Sequence, residues 1–198
     1  MTIGEATGKR LTRAAVPARQ RVLDASYELF ARRGIRDVGV DELIHASGVA
    51  KATFYKHFKS KDDVVLAFLQ RWYEERTAAI EQAVARYGNR DGGAVLTIFD
   101  LFDDWFRQGA VQVTAFLHVM MEMGPQHPLG RASISYLEKT RQQIADLAES
   151  AGLADPQDFA WSIHILLKGA MVADAEGDEH AAQRAKRMAR ILMDYHRP

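Results

Sequence analysis

Gly48-Val49-Ala50-Lys51-Ala52-Thr53-Phe54-Tyr55-Lys56-His57-Phe58 is the stretch whose reading decides the fold. At about 100° per residue, Phe54 and Phe58 fall on one face with Ala50 beside them. Ala52 and Lys56 fall on the opposite face, flanked by Thr53 and Tyr55, with Lys51 and His57 on the shoulders. The spacing predicts a short helix rooted by two aromatic rings, with an outer surface of cation, hydroxyl, phenol and imidazole. No acidic residue interrupts Gly48 to Lys61. A helix that only closed a core has no need of that outer face, whereas one laid against phosphates does.

Upstream, Val40, Leu43 and Ile44 give the i, i+3, i+4 pattern of a second short amphipathic helix. Ser47-Gly48 supplies the turn between the two, since glycine accepts the left-handed backbone that ends a helix. The run from Val40 to Lys61, and above all its ending Tyr55-Lys56-His57-Phe58-Lys59-Ser60-Lys61, resembles the DNA-binding domain of the TetR family of transcriptional regulators. The likeness extends back through Phe30-Ala31-Arg32-Arg33-Gly34. It departs from the family's pattern at two places: Gly39 stands where a Ser or Thr commonly precedes the motif's first helix, and Ala50 where a Ser commonly caps the second. Those two phosphate contacts are therefore not carried over.

Around this motif the chain reads in order. Residues 1–16 are polar and basic, with Lys9, Arg10 and Arg13, and show no apolar period: a flexible arm. Val22, Ala25, Ser26, Leu29 and Phe30 mark a bracing helix closed at Gly34, completing a three-helix head over 17–61. Ser60-Lys61-Asp62-Asp63 reads as a helix start, with Ser60 as cap and two acids at the positive end of the dipole. A long helix then carries Val65, Leu69, Trp72, Tyr73, Ile80 and Val84 toward Tyr87. Helical segments punctuated by glycine and proline follow: about Gly93–Gln108, Val111–Met123, Leu129–Ser150, Asp155–Ala175 and Glu179–His196. With no sustained strand pattern, an all-α fold of about nine helices is expected, with a helical body over 62–198.

Charge divides unevenly. Residues 1–61 hold 12 Lys or Arg against 6 acids, and residues 62–198 hold 14 against 20. A basic front on an acidic body suits a polyanion-binding head. The absence of cysteine excludes disulfide and thiolate chemistry. There is no apolar leader and no segment of membrane-spanning length, so a cytoplasmic protein without membrane contact is expected.

In the body, Phe102, Trp105, Phe106, Phe116, Met120, Tyr136, Trp161 and His164 are apolar or aromatic groups with a polar residue interleaved, the composition of a small-molecule pocket. Each of these residues reads first as core filling; the resemblance implies an effector site among them. On the last two helices Ile163, Leu167, Ala170, Ala185, Met188 and Leu192 repeat at helical spacing. The resemblance implies that these helices pair with a second copy, giving a homodimer suited to a palindromic operator. It further implies Lys51, Ala52 and Lys56 at base edges and Thr53, Tyr55, His57 and Lys61 on phosphates.

No phosphate-cradling glycine loop or nucleophile motif is present, and no catalytic residue or cofactor is assigned. His118, Glu122 and His127 have spacing compatible with a divalent ion, but i, i+4 pairs recur by chance and nothing supports a metal. The expectation is a DNA-binding regulator, most simply a repressor released by a small molecule. The rival readings are an activator on the same fold, and a helical carrier or enzyme whose basic head docks on another protein.

Overall fold

The computed structural model describes residues 16–87 and 93–198. The basic arm expected over 1–16 lies, except for Val16, outside the described residues, as does the segment following Tyr87. Nine α-helices and one short 3-10 turn make up the described residues, with no strand among them. The all-α expectation holds. The chain forms two compact units, and the division falls between Val64 and Val65, inside one helix.

The first unit contains α1 (Ala18–Arg33), α2 (Val40–Ser47), α3 (Lys51–His57) and the opening turn of α4 (Lys61–Tyr87). Its core is small and completely closed: Val22, Leu23, Leu43 and Phe54 are fully buried, and Phe58 nearly so. Ser26, the polar member of the α1 stripe, is also buried, where its Oγ donates to the Leu23 carbonyl at 2.7 Å. The hydroxyl is thereby satisfied within its own helix and costs the core little.

Ser60 and Asp63 start α4 with a reciprocal cap. Ser60 Oγ accepts from the Asp63 N–H at 3.1 Å, while the Asp63 carboxylate accepts from the N–H groups of Lys59 and Ser60 at 2.8 and 3.1 Å. Three otherwise unpaired N–H groups are satisfied in this way.

The second unit packs α5 (Gly93–Arg107), the 3-10 turn (Val111–Thr114), α6 (Ala115–Met123), α7 (Pro128–Ser150), α8 (Pro156–Ala175) and α9 (Ala181–Tyr195) with the remainder of α4. Phe99, Phe102, Phe116, Ile144 and Phe159 fill its centre. The segment expected as one helix over 111–123 is instead the 3-10 turn followed by α6. Helix α7 starts where Pro128 takes the first helical position and His127 Nδ1 accepts from the Leu129 N–H at 3.2 Å. Gly130 lies against the α6–α7 turn so tightly that a Cβ there would stand 1.9 Å from the Gly124 carbonyl oxygen. Asp155 occupies the capping position of α8, but its side chain makes no cap bond and its φ is 48°. Pro156, at the start of the helix, sets its first turn without a side-chain cap.

The chain end is tied down by a reciprocal pair. The Ala154 N–H donates to the His196 carbonyl at 2.7 Å, and His196 Nδ1 meets the Ala154 carbonyl at 2.7 Å. Among the described residues no helix is long and apolar enough to cross a membrane.

Candidate nucleic-acid interface

Two helices and a glycine turn build the outer face of the first unit. Gly48 takes φ 63° and ψ 32°, and its N–H reaches the carbonyls of Ile44 and His45, both at 3.1 Å. That left-handed conformation is what lets α2 stop and α3 leave at an angle; a side chain with a Cβ would strain it. Ser47 is buried beneath the turn, its Oγ donating to Ile44 at 3.0 Å. Arg21, from α1, donates to the Gly48 carbonyl at 3.1 Å and fixes the turn from the other side.

Helix α3 has only seven residues, too few to persist alone. Its stability comes from its root. Phe54 is fully buried and Phe58 2% exposed, their ring centroids 5.8 Å apart, and the Arg19 guanidinium lies 5.6 Å from the Phe58 ring. The opposite side of α3 is open: Lys51, Ala52, Tyr55, Lys56 and His57 are exposed, and Thr53 is half-buried. The Tyr55 ring meets Phe54 edge-on at 5.3 Å, which holds the phenol upright at 40% exposure. Neither Gly39 nor Ala50 supplies a side-chain cap to the helix it precedes.

Two lysines are engaged locally. Lys51 Nζ lies 3.2 Å from Asp41 on α2, a pair in which both side chains are mostly in solvent. The hydrogen bond and the charge of Asp41 hold the Lys51 ammonium above its ordinary value, so it stays cationic. An exposed pair of this kind is easily exchanged for another anion. Lys61 corrects the sequence expectation. Its ammonium donates to the carbonyls of Ile35, Val38 and Arg36 at 2.7, 3.0 and 3.4 Å. It turns inward onto the loop after α1 rather than outward toward a phosphate.

Residues 22–68 match the family model described as bacterial regulatory proteins of the tetR family. Over 81 residues the chain is 37% identical to the transcriptional activator FasR of Mycolicibacterium smegmatis, a stretch covering 41% of this chain and 36% of that protein. The chain thus spans about a third of that relative's length. The crystal structure of SCO4454, a TetR-family transcriptional regulator from Streptomyces coelicolor, superposes with a TM-score of 0.82 at 25% identity, covering 91% of this chain and 96% of that one. Residues 22–68 belong to the tetR family. A regulatory protein TetR from Rhodobacter sphaeroides shares the fold, with a TM-score of 0.75 at 24% identity over 88% of this chain and 98% of that one.

In the second unit the residues expected to line a pocket separate into distinct environments. Phe102, Phe116 and His164 border one small cavity. Trp105 packs between Trp72 and Phe102, at 5.1 and 5.2 Å, and Phe106 meets Phe102 edge-on. Tyr136 stacks on Phe116 and Tyr73 at 5.4 and 5.0 Å, and Met120 is half-buried; none of these four borders the cavity. Trp161 is 49% exposed, with the Arg141 guanidinium 3.8 Å from its ring. It is a surface residue and does not border the cavity.

Sequence reasoning missed Arg76, Thr140 and Lys168, which border the same cavity. A signal for Arg76 exists: Val65, Leu69, Trp72 and Ile80 form the buried stripe of α4, and Arg76 stands on that stripe.

The dimer assignment also changes. Ile163, Leu167, Ala170 and Ala185 are buried in the protomer's own core, where α8 packs on α9 and α7, so they are not available as a dimer surface. Met188 is 54% exposed, and Leu192 is half-buried. The outward apolar groups on these helices are Trp161, Ile165, Val172, Met188, Ile191 and Tyr195. Among the described residues no three His, Asp or Glu groups gather as a metal-sized cluster.

Proposed function

We propose that this chain is a sequence-specific DNA-binding transcriptional regulator, acting as a homodimer and released from its operator by a small molecule. The observation that carries the reading is the outward face of α3: cations, a phenol and an imidazole exposed together on a helix whose other side is rooted by Phe54 and Phe58. Placed in a major groove, that face presents Ala52 and Lys56 to base edges, with the Ala52 methyl suited to a thymine methyl. Lys51 joins them once Asp41 is exchanged for DNA. Thr53, Tyr55 and His57 hold phosphates and fix register.

The dimer forms through the exposed apolar groups of α8 and α9. Six large apolar side chains on two adjacent helices are more than scattered surface residues require. Gly169 lies on the same helix as Trp161, Ile165 and Val172, with open space around it, which permits close approach of a second helix. Twofold pairing implies a palindromic operator.

Helix α4 runs unbroken from the first unit into the second, so a bound effector has a continuous element to act on. Coupling of this kind is typically about 1–3 kcal/mol and requires that the effector favour one arrangement of the helix. The test is selection of binding sites by the full chain from randomised duplexes. Enrichment of a two-half-site palindrome supports the proposal; recovery of no preferred sequence contradicts it.

An activator on the same scaffold is the second reading, and the FasR relative, named a transcriptional activator, favours it. A reporter driven from the selected site separates the two by the sign of its response.

A further inference from the structure

Arg76 sits in the interior of the second unit, 3% exposed, and among the described residues no carboxylate pairs with it. Its Nη2 donates to Thr140 Oγ1, its guanidinium lies 4.8 Å from the Phe116 ring, and its Nε has no partner. Thr140 Oγ1 in turn donates to the Tyr136 carbonyl at 2.8 Å, which fixes the hydroxyl in the accepting role toward Arg76. A buried cation ordinarily finds an anion, because desolvation is otherwise uncompensated.

The neighbours deepen the imbalance. His164 is 3% exposed and its Nδ1 has no partner. Burial first, then the charges of Lys168, Arg141 and Arg76, push its imidazole down to about 3. Lys168, half-buried, is lowered by burial and by Arg141. Arg76, Thr140, His164 and Lys168 all border one small, partly open cavity with about 10 Å³ available to the centre of a water molecule, room for about one water. Its remaining walls are apolar, Phe102, Leu137 and Met171 among them. A water there would satisfy hydrogen bonds but leave the charge uncompensated.

We propose that Arg76, held in place by Thr140, and His164 form the head-group site of the effector, and that the effector is an organic acid, a carboxylate carried on an apolar body. The inference rests on the effector-released reading above. A guanidinium offering Nε and a terminal nitrogen along one edge matches a carboxylate in two parallel hydrogen bonds. The imidazole, neutral in the empty site, donates its N–H to the same group. The tail displaces side chains that move readily: Met171 is flexible, and Leu117 and Lys168, both half-buried, form the rim by which it enters.

Two acids and their uncharged counterparts test this on the full chain: octanoate against octanol, and naphthoate against naphthalenemethanol, by calorimetry and thermal shift. At least one acid should bind ten-fold or more tightly than its alcohol. Arg76→Met should bring that ratio to about one, while Arg76→Lys keeps most of it. Lys168→Met, at a partly exposed position, should lower the ratio two- to five-fold and serves if Arg76→Met does not fold. Equal binding of each acid and its alcohol overturns the proposal. So does stabilisation by chloride alone that matches the acids, which would make this an inorganic anion site. Operator binding is followed separately. Acid preference without any change in operator affinity keeps the head-group site and removes the release mechanism.

Discussion

The ammonium of Lys61 lies 2.7 Å from the carbonyl oxygen of Ile35, twenty-six residues earlier in the chain. With the Val38 and Arg36 carbonyls it completes a three-way donor set that pins the loop between α1 and α2 to the start of α4. A lysine that satisfies three carbonyls within its own unit acts on the fold of the head before it acts on any ligand.

Lys61→Ala should therefore lower the stability of the first unit by about 1.5–3 kcal/mol, the range for hydrogen bonds to a charged group. Chemical denaturation followed by the Tyr55 or Tyr27 signal measures it. The salt slope of DNA binding should stay unchanged. A wild-type midpoint with a flattened salt slope would return Lys61 to the phosphate contacts.

Ala50→Ser should stabilise. Ala50 precedes α3 with φ −70° and ψ 146°, the extended geometry from which a serine Oγ reaches the N–H groups of the first turn. The gain should be about 0.5–2 kcal/mol. A thermal midpoint no higher than wild type would mean that the turn after Gly48 does not admit the cap.

The pH dependence of stability should carry the mark of His164. Its folded value is pushed down to about 3, whereas the unfolded value is near 6.5. Between these the unfolded chain binds a proton that the folded chain does not, so stability rises with pH through the window and levels off above it. The contribution to the slope is at most about 1.4 kcal/mol per pH unit. His164→Gln should flatten the difference between denaturation midpoints at pH 4.5 and 6.5; an unaltered pH profile would place the proton elsewhere.

Ile191→Glu tests the dimer face. Ile191 is 70% exposed, so the substitution leaves the protomer core intact. Its burial as a glutamate against a second copy would be costly. Ultracentrifugation should report monomers with unchanged helical content, whereas a persistent dimer would remove the α8–α9 face from the interface.

Much of this was legible beforehand, for physical reasons that differ by element. The head was readable because its period, its turn glycine and its aromatic root act within a few residues: Leu43, Gly48, Phe54 and Phe58 sit where spacing alone places them. The start of α4 was readable because Ser60 and Asp63 act on each other's backbone. The α8 surface was not, because that helix is apolar on two sides. Spacing marks Ile163 and Leu167 as apolar just as it marks Trp161 and Ile165, and only packing against α7 and α9 separates core from surface. The cluster around Arg76 was hidden for the opposite reason. One cation on an apolar stripe looks like a solvated interruption until Thr140 and His164, from two other helices, are brought beside it.

The most direct test of the central claim is operator affinity of wild type, Tyr55→Phe and Lys56→Ala over a range of salt, measured on the selected site and on single-base variants of it. Wild-type affinity should fall linearly in log–log form as salt rises. Tyr55→Phe should weaken every duplex alike, and Lys56→Ala should relax preference at one base pair per half-site, a change of about 1–3 kcal/mol in discrimination. Binding that ignores salt, or a base preference untouched by Lys56→Ala, would contradict the placement of α3 in the major groove.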